Sequence, residues 1–320
     1  MKEKIKMTID QILEKAFDTG DLASGGLLNP EQSAMFVEGV IGNSKIINEC
    51  RRVPMKATKR QIDKITYGSN ILQKPPSVGT APSTTSKPTT SKVELDAQET
   101  IIAIDLGYDA LEDSIEGQGL FNTIMDLTAK KQALEMDTLL LHGDTAGGTG
   151  DYLEILNGIL KQATTHVYDC ASGVLTDDKL FGALKLMPGK YIDVESDFRF
   201  YVSHLARLDY INALAGKGVN EAFVRYLIES GTPTYQGIPV AKVPAIQTED
   251  LDAGTPVVNG SQGLMINPKN IVFGIHRDIT YEFQKQPRKR IIEVTITARI
   301  DFKLEEEDAV VKLINIKHSA

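Results

Sequence analysis

Tryptophan is absent from this chain of 320 residues, and cysteine occurs only twice, at Cys50 and Cys170. The two are far apart and form no CxxC pair. The sequence therefore predicts neither a disulfide framework nor a structural zinc site, and reduced thiols fit a reducing compartment. No run of about twenty apolar residues is available to cross a bilayer. The opening MKEKIKMTIDQILEKAF is charged and amphipathic and lacks the apolar stretch of a secretory signal, so neither a leader nor a large removed propeptide is expected. Catalytic signatures are missing as well. The five histidines (142, 166, 204, 276 and 318) form no HExxH or HxH, there is no GxSxG, and neither cysteine has a neighbouring histidine. The sequence offers no convincing active site, and in a well-patterned chain of this length that favours a structural role. No cofactor or metal is expected.

What is present is ordinary for a soluble globular protein: 42% hydrophobic and 24% charged residues, in a length sufficient for one large or two ordinary domains. The formal net charge is −8. That balance argues against a protein whose main work is gripping phosphate backbones, which needs a basic face. It suits a surface that lies beside packed nucleic acid without sticking to it.

Acidic residues are missing locally from KPPSVGTAPSTTSKPTTS (74–91), which holds four of the chain's 13 prolines and nine Ser/Thr. Only Val78 offers a sizeable apolar side chain. Ordering eighteen such residues costs about 1–2 kcal/mol each for the backbone, with little apolar content to offset it within one subunit. The flanks, 51–68 and 92–107, read as strand-like arms with charges at alternating positions, such as Lys92, Glu94 and Asp96 against Val93, Leu95 and Ala97. A long ribbon with a lysine-bearing, acid-free tip suits docking onto a negative surface of a neighbour.

Helical signals occur at 8–17, where Ile9, Ile12, Leu13 and Phe17 share a side, and at 29–42, where Asn29 caps and Pro30 takes the first turn. The clearest helix is 118–142, with Leu120, Ile124, Leu127, Leu134, Thr138 and Leu141 at three- and four-residue steps and Lys131 the one interruption. Its ~25 residues make a rod of roughly 37 Å. Mixed α/β texture follows: a helix at 176–188, a strand alternating Phe198, Phe200 and Val202, a helix at 203–218, and a turn and strand at 234–246. The strongest strand is IEVTITARIDFKL (292–304). It sets Ile292, Val294, Ile296, Ala298, Ile300, Phe302 and Leu304 on a buried face, with polar residues opposite.

Three local motifs invite chemistry. The glycine run HGDTAGGTG has the glycine spacing of a phosphate loop at Gly143 and Gly148. Thr149, however, replaces the lysine, and the run follows a helix rather than a strand, so it reads as a flexible connection. The acidic EEED (305–308) could chelate a cation but sits between strands as a solvated turn. The basic RKR (288–290) follows Pro287 and reads as an exposed turn or a set of salt-bridge partners.

Taken in order, these parts resemble the major capsid protein of tailed bacteriophages, whose fold is shared with encapsulins. LLNPEQSAMFVEGVIGNSKIINECRRVPM (27–55) resembles that family's arm leading into an extended loop. ALEDSIEGQGLFNTIMDLTAKKQALEMDTLLLHGD (110–144) resembles its spine helix. FYVSHLARLDYINALAGKG with YQGIPVAKVPAI resembles its axial domain, and INPKNIVFGIHRDITYEF with VTITARIDFKLEEEDAVVKL its closing strands.

The resemblance implies an α+β fold in five parts: an N-terminal arm (1–50), an E-loop β-hairpin (51–108), a P-domain spine helix (109–150), a mixed α/β A-domain (151–261) and antiparallel P-domain closing strands (262–320). It implies a structural subunit of an icosahedral virion capsid, assembled in the bacterial cytoplasm into hexamers and pentamers that enclose double-stranded DNA without sequence-specific binding. Further expected partners are a separate scaffolding protein, since no long scaffolding segment precedes the arm, a portal, and decoration proteins; no membrane is involved. Candidate inter-subunit contacts are Lys74, Lys87, Lys92, Arg288, Lys289 and Arg290. The alternatives are an encapsulin-type nanocompartment shell and an α/β enzyme with a nucleotide site at 143–150.

Overall fold

Strand β12 (Ile291–Leu304) realises the alternation read from its sequence: Ile292, Val294, Ile296, Ala298, Ile300, Phe302 and Leu304 are all buried. One position breaks the pattern. Asp301 lies on the polar side of the sequence yet is 1% exposed. The strand occupies the interior of a four-stranded sheet of order β1-β11-β12-β4, in which β1 is Arg51–Pro54, β4 Gln98–Gly107 and β11 Ile271–Gln286. β1 runs parallel to β11, with Arg51 opposite Val272 and Pro54 opposite Ile275.

The structure, a computed structural model, describes residues 44–67, 72, 87–109, 119–148, 150–192, 197–216, 232–249, 251 and 259–319. The helices expected at 8–17 and 29–42 lie outside these residues, as does 74–86 of the Ser/Thr/Pro stretch. The chain divides into two compact units. One comprises Met1–Glu49, Glu99–Thr138 and Arg277–Arg299; the other comprises Cys50–Gln98, Leu139–His276 and Ile300–Ala320.

In the first unit, helix α1 (Gly119–His142) begins and ends within a residue of its expected bounds. Its buried side departs in part from the predicted row. Thr138 and Leu141 of that row are buried, but Leu127 is 59% and Leu134 40% exposed, and Ala129, Gln132, Ala133, Met136 and Asp137 are buried as well. Leu127 and Ile124 line an open groove of about 390 Å³ with Ile102 and Ile104 of β4. Asp137 is buried for a definite purpose. Its carboxylate accepts hydrogen bonds from Ser44 Oγ at 2.6 Å, Lys45 N at 2.7 Å and Ile47 N at 3.4 Å, fixing the turn that carries the buried Ile46 and Ile47. Burial raises its pKa against the opposing pull of these bonds.

The second unit is built on a seven-stranded sheet, with β5 (Val167–Val174), β13 (Val310–Lys317), β10 (Gly260–Ile266), β6 (Arg199–Val202), β8 (Ile238–Lys242) and β7 (Thr234–Tyr235) in that order, and β9 (Thr248–Glu249) paired to β10. The short helix α2 (Ile159–Gln162) precedes β5. Helices α3 (Asp177–Leu186) and α4 (His204–Gly216) insert Leu180, Ala183, Ala206 and Tyr210 into a core with Phe198, Phe200, Val202, Met265, Val311 and Leu313. Tyr201 on the other face of β6 is also buried, because β6 is an interior strand covered on both sides. The YQGI turn takes φ of 47° at Gln236 and 82° at Gly237, the left-handed pair that a two-residue hairpin requires.

The face assignment of β12 is directly testable. Ile296→Asp should cost on the order of several kcal/mol, because Ile296 is 1% exposed and a carboxylate there gains no partner. Thr297→Asp should cost far less. Equal loss of soluble protein and of melting temperature in the two variants would refute the assignment.

Candidate inter-subunit surfaces

The two strand-like arms divide into distinct sheets. β2 (Lys59–Thr66) and β3 (Thr89–Asp96) pair antiparallel over their full length, from Lys59 opposite Asp96 to Thr66 opposite Thr89, as a two-stranded sheet of their own. The outer portions, β1 and β4, leave the ribbon for the four-stranded sheet. The break falls at Met55–Thr58 and Ala97, where Met55, Leu95, Ala97 and Val272 form a small core against which Val53 and Ile62 pack. Away from this root the ribbon has little apolar cover: Ile65 is 70%, Tyr67 54% and Leu72 95% exposed.

Charged side chains moor the ribbon both along its length and at its root. Lys64 Nζ meets Glu306 Oε2 at 3.0 Å, and Arg51 Nη1 meets Glu305 Oε2 at 2.7 Å. Glu307 accepts from Thr164 N at 2.9 Å, Thr164 Oγ1 at 2.6 Å and Thr165 N at 3.0 Å, which holds its carboxyl below the usual range. The acidic run is thus neither a chelating cluster nor merely solvated, since three of its carboxylates have separate partners. Asp301 completes the root. It accepts from Asp96 N at 2.7 Å and Phe302 N at 2.8 Å, and burial pushes its carboxyl up to about 6.

The six candidate contact residues fare differently. Lys74 lies outside the described residues. Lys87 is exposed, two residues before β3. Lys92 lies along the ribbon, 3.2 Å from Gln61 Oε1 and 3.9 Å from Asp63. In the turn between β11 and β12, Arg290 pairs with Asp109 at 2.7 Å and Lys289 with Glu293 at 3.2 Å, both within the first unit, while Arg288 is exposed. The structure does not bring the six together into one site. Sequence reading missed a third cluster, in which Glu99 on β4 binds Arg277 at 2.5 Å and Arg299 at 2.9 Å, side by side across three strands. Its partners are 178 and 200 residues distant in the chain, so no local spacing signals it.

The glycine run is a pinned loop and not a flexible connection. Asp144 accepts from Ala146 N and pairs with Lys161, Asn157 Oδ1 holds Thr145, and Glu154 Oε1 accepts from Gly150 N. A Cβ on Gly143 would sit 2.3 Å from Leu156 O, so glycine is needed for this close approach. Carboxylates already occupy the Ala146 and Gly150 amides, and the Asn157 side-chain oxygen the Thr145 amide. Burial pushes Cys170 up to about 11, and burial together with Lys312 pushes His142 down to about 4. Near neutral pH the first is an un-ionised thiol and the second a neutral imidazole whose Nε2 accepts from Gln247 N. Among the described residues no group of three or more His, Cys, Asp or Glu could hold a metal, and no described helix is long and apolar enough to cross a membrane.

The second unit thus carries a two-stranded ribbon that ion pairs moor to the turn at 305–306. The Phage capsid family model matches residues 24–314, and the chain belongs to that family. It is 33% identical over 313 residues to a Bacillus subtilis (strain 168) protein named as a prophage capsid protein, YqbE, covering 97% of this chain and 100% of that one. Solved structures share the fold. The satellite phage P4 procapsid, with its size determination protein, matches with TM-score 0.61 at 14% identity, over 90% of this chain and 99% of that one. The Mycobacterium phage Bobi structure matches with TM-score 0.58 at 15% identity, over 84% and 89%. The SrpI encapsulin of Synechococcus elongatus PCC 7942 matches with TM-score 0.57 at 12% identity, over 84% and 88%. The chain is a structural subunit of a phage capsid, with the α+β fold expected of one.

Asp301 gives the root a pH signature. A carboxyl raised in the folded state contributes stability that is complete below the ordinary Asp range and is lost as pH rises through about 6. Between about pH 4 and pH 6 the wild type should therefore lose on the order of 2 kcal/mol more stability than Asp301→Asn. Denaturant unfolding of the unassembled subunit across that range measures it. Parallel pH profiles for the two proteins would contradict the assignment.

Proposed function

We propose that the chain forms hexamers and pentamers that close into an icosahedral shell around double-stranded DNA, without catalysing a reaction. In this reading 1–50 is an N-terminal arm, 51–108 an E-loop, 109–150 a spine segment, 151–261 an axial domain and 262–320 the closing strands. The observation that carries it is the β2–β3 ribbon, a sheet of only two strands whose Ile65 and Tyr67 side chains are exposed. A two-stranded ribbon is marginal alone, and its open edges and exposed Ile65 and Tyr67 gain most from a neighbouring copy. Lys74 and Lys87 at the acid-free tip, Lys92 along the ribbon, and Arg288 with Lys289 and Arg290 in the β11–β12 turn are the proposed contacts to acidic surfaces of neighbours. Rim charges of this kind act mainly on encounter and register.

A separate scaffolding protein would limit curvature during assembly in the bacterial cytoplasm. A portal would admit DNA, and decoration proteins would bind the finished outer surface. The net charge of −8 suits an inner face that does not adhere to the packed duplex. Likeness in fold alone does not separate a phage shell from an encapsulin. The near full-length relation to a prophage capsid protein favours the phage shell.

Replacing residues 75–90 with a short Gly-Ser segment tests the reading. The melting temperature of the unassembled subunit should hardly change, because this stretch brings little to the subunit's own core. Shell yield should fall, and surviving shells should break into capsomers at lower denaturant. Hydrogen exchange at 60–66 and 92–100 should slow on assembly of the wild type. Normal shells from the shortened protein, with unchanged exchange in those arms, would make the ribbon an idle loop. Wild-type protein that stays monomeric with its scaffolding partner across salt and pH would sink the shell reading itself.

A further inference from the structure

The two faces of the β2–β3 ribbon treat charge differently. On the outer face Lys59 meets Glu94 and Asp96 of the opposite strand, and Lys92 meets Asp63. On the inner face the register sets Arg60, Ile62 and Lys64 against Leu95, Val93 and Ser91, and none of these is an acid. Leu95 is buried and Ile62 and Val93 are half-buried, so this face lies toward the body of the second unit. Arg60 turns back to the Pro54 carbonyl. Lys64 faces no carboxylate across the ribbon and reaches off it, to Glu306 Oε2 at 3.0 Å. Its side chain is 16% exposed, against 64% for Lys59 and 60% for Lys92. The acceptor is held from behind. Glu306 N donates to Asn270 Oδ1 at 2.8 Å, its carbonyl accepts from Asn270 Nδ2 at 2.8 Å, and Glu305 N donates to Asn270 O at 2.9 Å. The next residue, Glu307, is tied to Thr164 and Thr165. A carboxylate fixed in this way needs little further ordering to receive a lysine.

We propose that the Lys64–Glu306 pair is a latch that sets the angle of the ribbon against the body of its own subunit, and that the ribbon pivots at 55–58 and 97 when the pair is open. Position is the reason this pair matters more than the others. The chain passes between ribbon and sheet at 55–58 and 97; Asp301 acts at that break, and the Arg51–Glu305 pair acts on its sheet side. Lys64 lies beyond it, five residues past Lys59 and about 17 Å along the strand. A contact that far from the break opposes rotation with much more leverage than one at the break. The small core of Met55, Leu95, Ala97 and Val272 sits at the pivot itself and fixes the point of rotation, not the angle. The latch is a property of the single subunit and stands apart from the shell reading.

Two nitroxide labels on the unassembled full-length subunit, at Thr90→Cys on the ribbon and Val167→Cys on β5, read the angle as a distance distribution by pulsed electron resonance. Both sites are exposed, and the native Cys50 and Cys170 are buried and serve as the unlabelled background. With the pair intact the distribution should be narrow. Lys64→Gln and Glu306→Gln should each broaden it by several ångströms, and Lys64→Glu should broaden it further. Lys64→Glu combined with Glu306→Lys should restore the narrow distribution. Arg51→Gln, on the sheet side of the break, should change it little. Salt at about 1 M, which shortens the screening length to about 3 Å, should broaden the wild type and leave Lys64→Gln as it was. A narrow distribution in Lys64→Glu would overturn the proposal, and so would equal broadening by Arg51→Gln or a folded charge-swapped protein that stays broad. The salt arm needs no latch variant to fold, and a wild-type width that ignores salt would overturn it as well. No shell is assembled, so each of these outcomes leaves the shell reading where it stands.

Discussion

The two-residue period of β12 is the constraint on which the remaining structure depends. A strand bonded on both edges cannot shift by one residue without turning its whole apolar row to the wrong side. With β11 on one edge and β4 on the other, the register of β12 fixes where β4 starts and so where the ribbon must end. Asp301 marks that point. The chain leaves β3 at Asp96 and joins another sheet at Gln98, so the ladder is interrupted at Ala97. A carboxylate on β12 accepts the Asp96 N–H at the interruption. The arrangement costs the subunit some stability at neutral pH, because the charged form is desolvated. In return the root of the ribbon has a defined geometry.

Elements with a strong period were legible in the sequence, and the face of a helix only in part. β12, the bounds of α1, the α3 and α4 helices and the Gln236–Gly237 turn all follow from local patterning. The burial of α1 does so only in part, for two physical reasons. Towards its C-terminal end Leu139, Leu140 and Leu141 are all buried, and a helix covered on every side carries no period to read. Further back, the inner side is made of Ala129, Ala133 and the polar Gln132, whose fitness for close packing is a property of the neighbours. Asp137 is the sharpest case. Its partner Ser44 is 93 residues away, and an aspartate inside a helix reads locally as a solvent residue. The surfaces were only partly legible. An acid-free Ser/Thr/Pro stretch announces itself by composition, whereas the Leu205 and Leu208 stripe looks like core until Ala206 and Tyr210 are seen to fill the inner side.

Charge is distributed by the same logic. Lys64, Arg51 and Asp301 are spent on the ribbon and its root, Arg290 and Lys289 on the turn before β12, and Glu99 on two arginines of adjacent strands. Exposed pairs of this kind contribute about 0–1 kcal/mol each. Their value lies in orientation, since each forbids alternative placements of a segment with little apolar anchorage.

A closed shell asks two things of its subunit that conflict in any single contact. Assembly must be reversible enough to correct a misplaced copy, and the finished shell must not open. Exposed apolar side chains such as Ile65 and Tyr67 are each worth too little on burial to hold two copies together in dilute solution. A stretch as poor in apolar groups as 74–91 offers less still, against a backbone ordering cost of about 1–2 kcal/mol per residue. Repetition resolves the conflict. Once several copies surround a subunit, every further contact forms within one assembly, and weak contacts add without a new loss of translational freedom. Weakness at each surface and permanence of the whole then follow from the same side chains, which is why a capsid subunit can leave its ribbon uncovered and still fold as a sound unit.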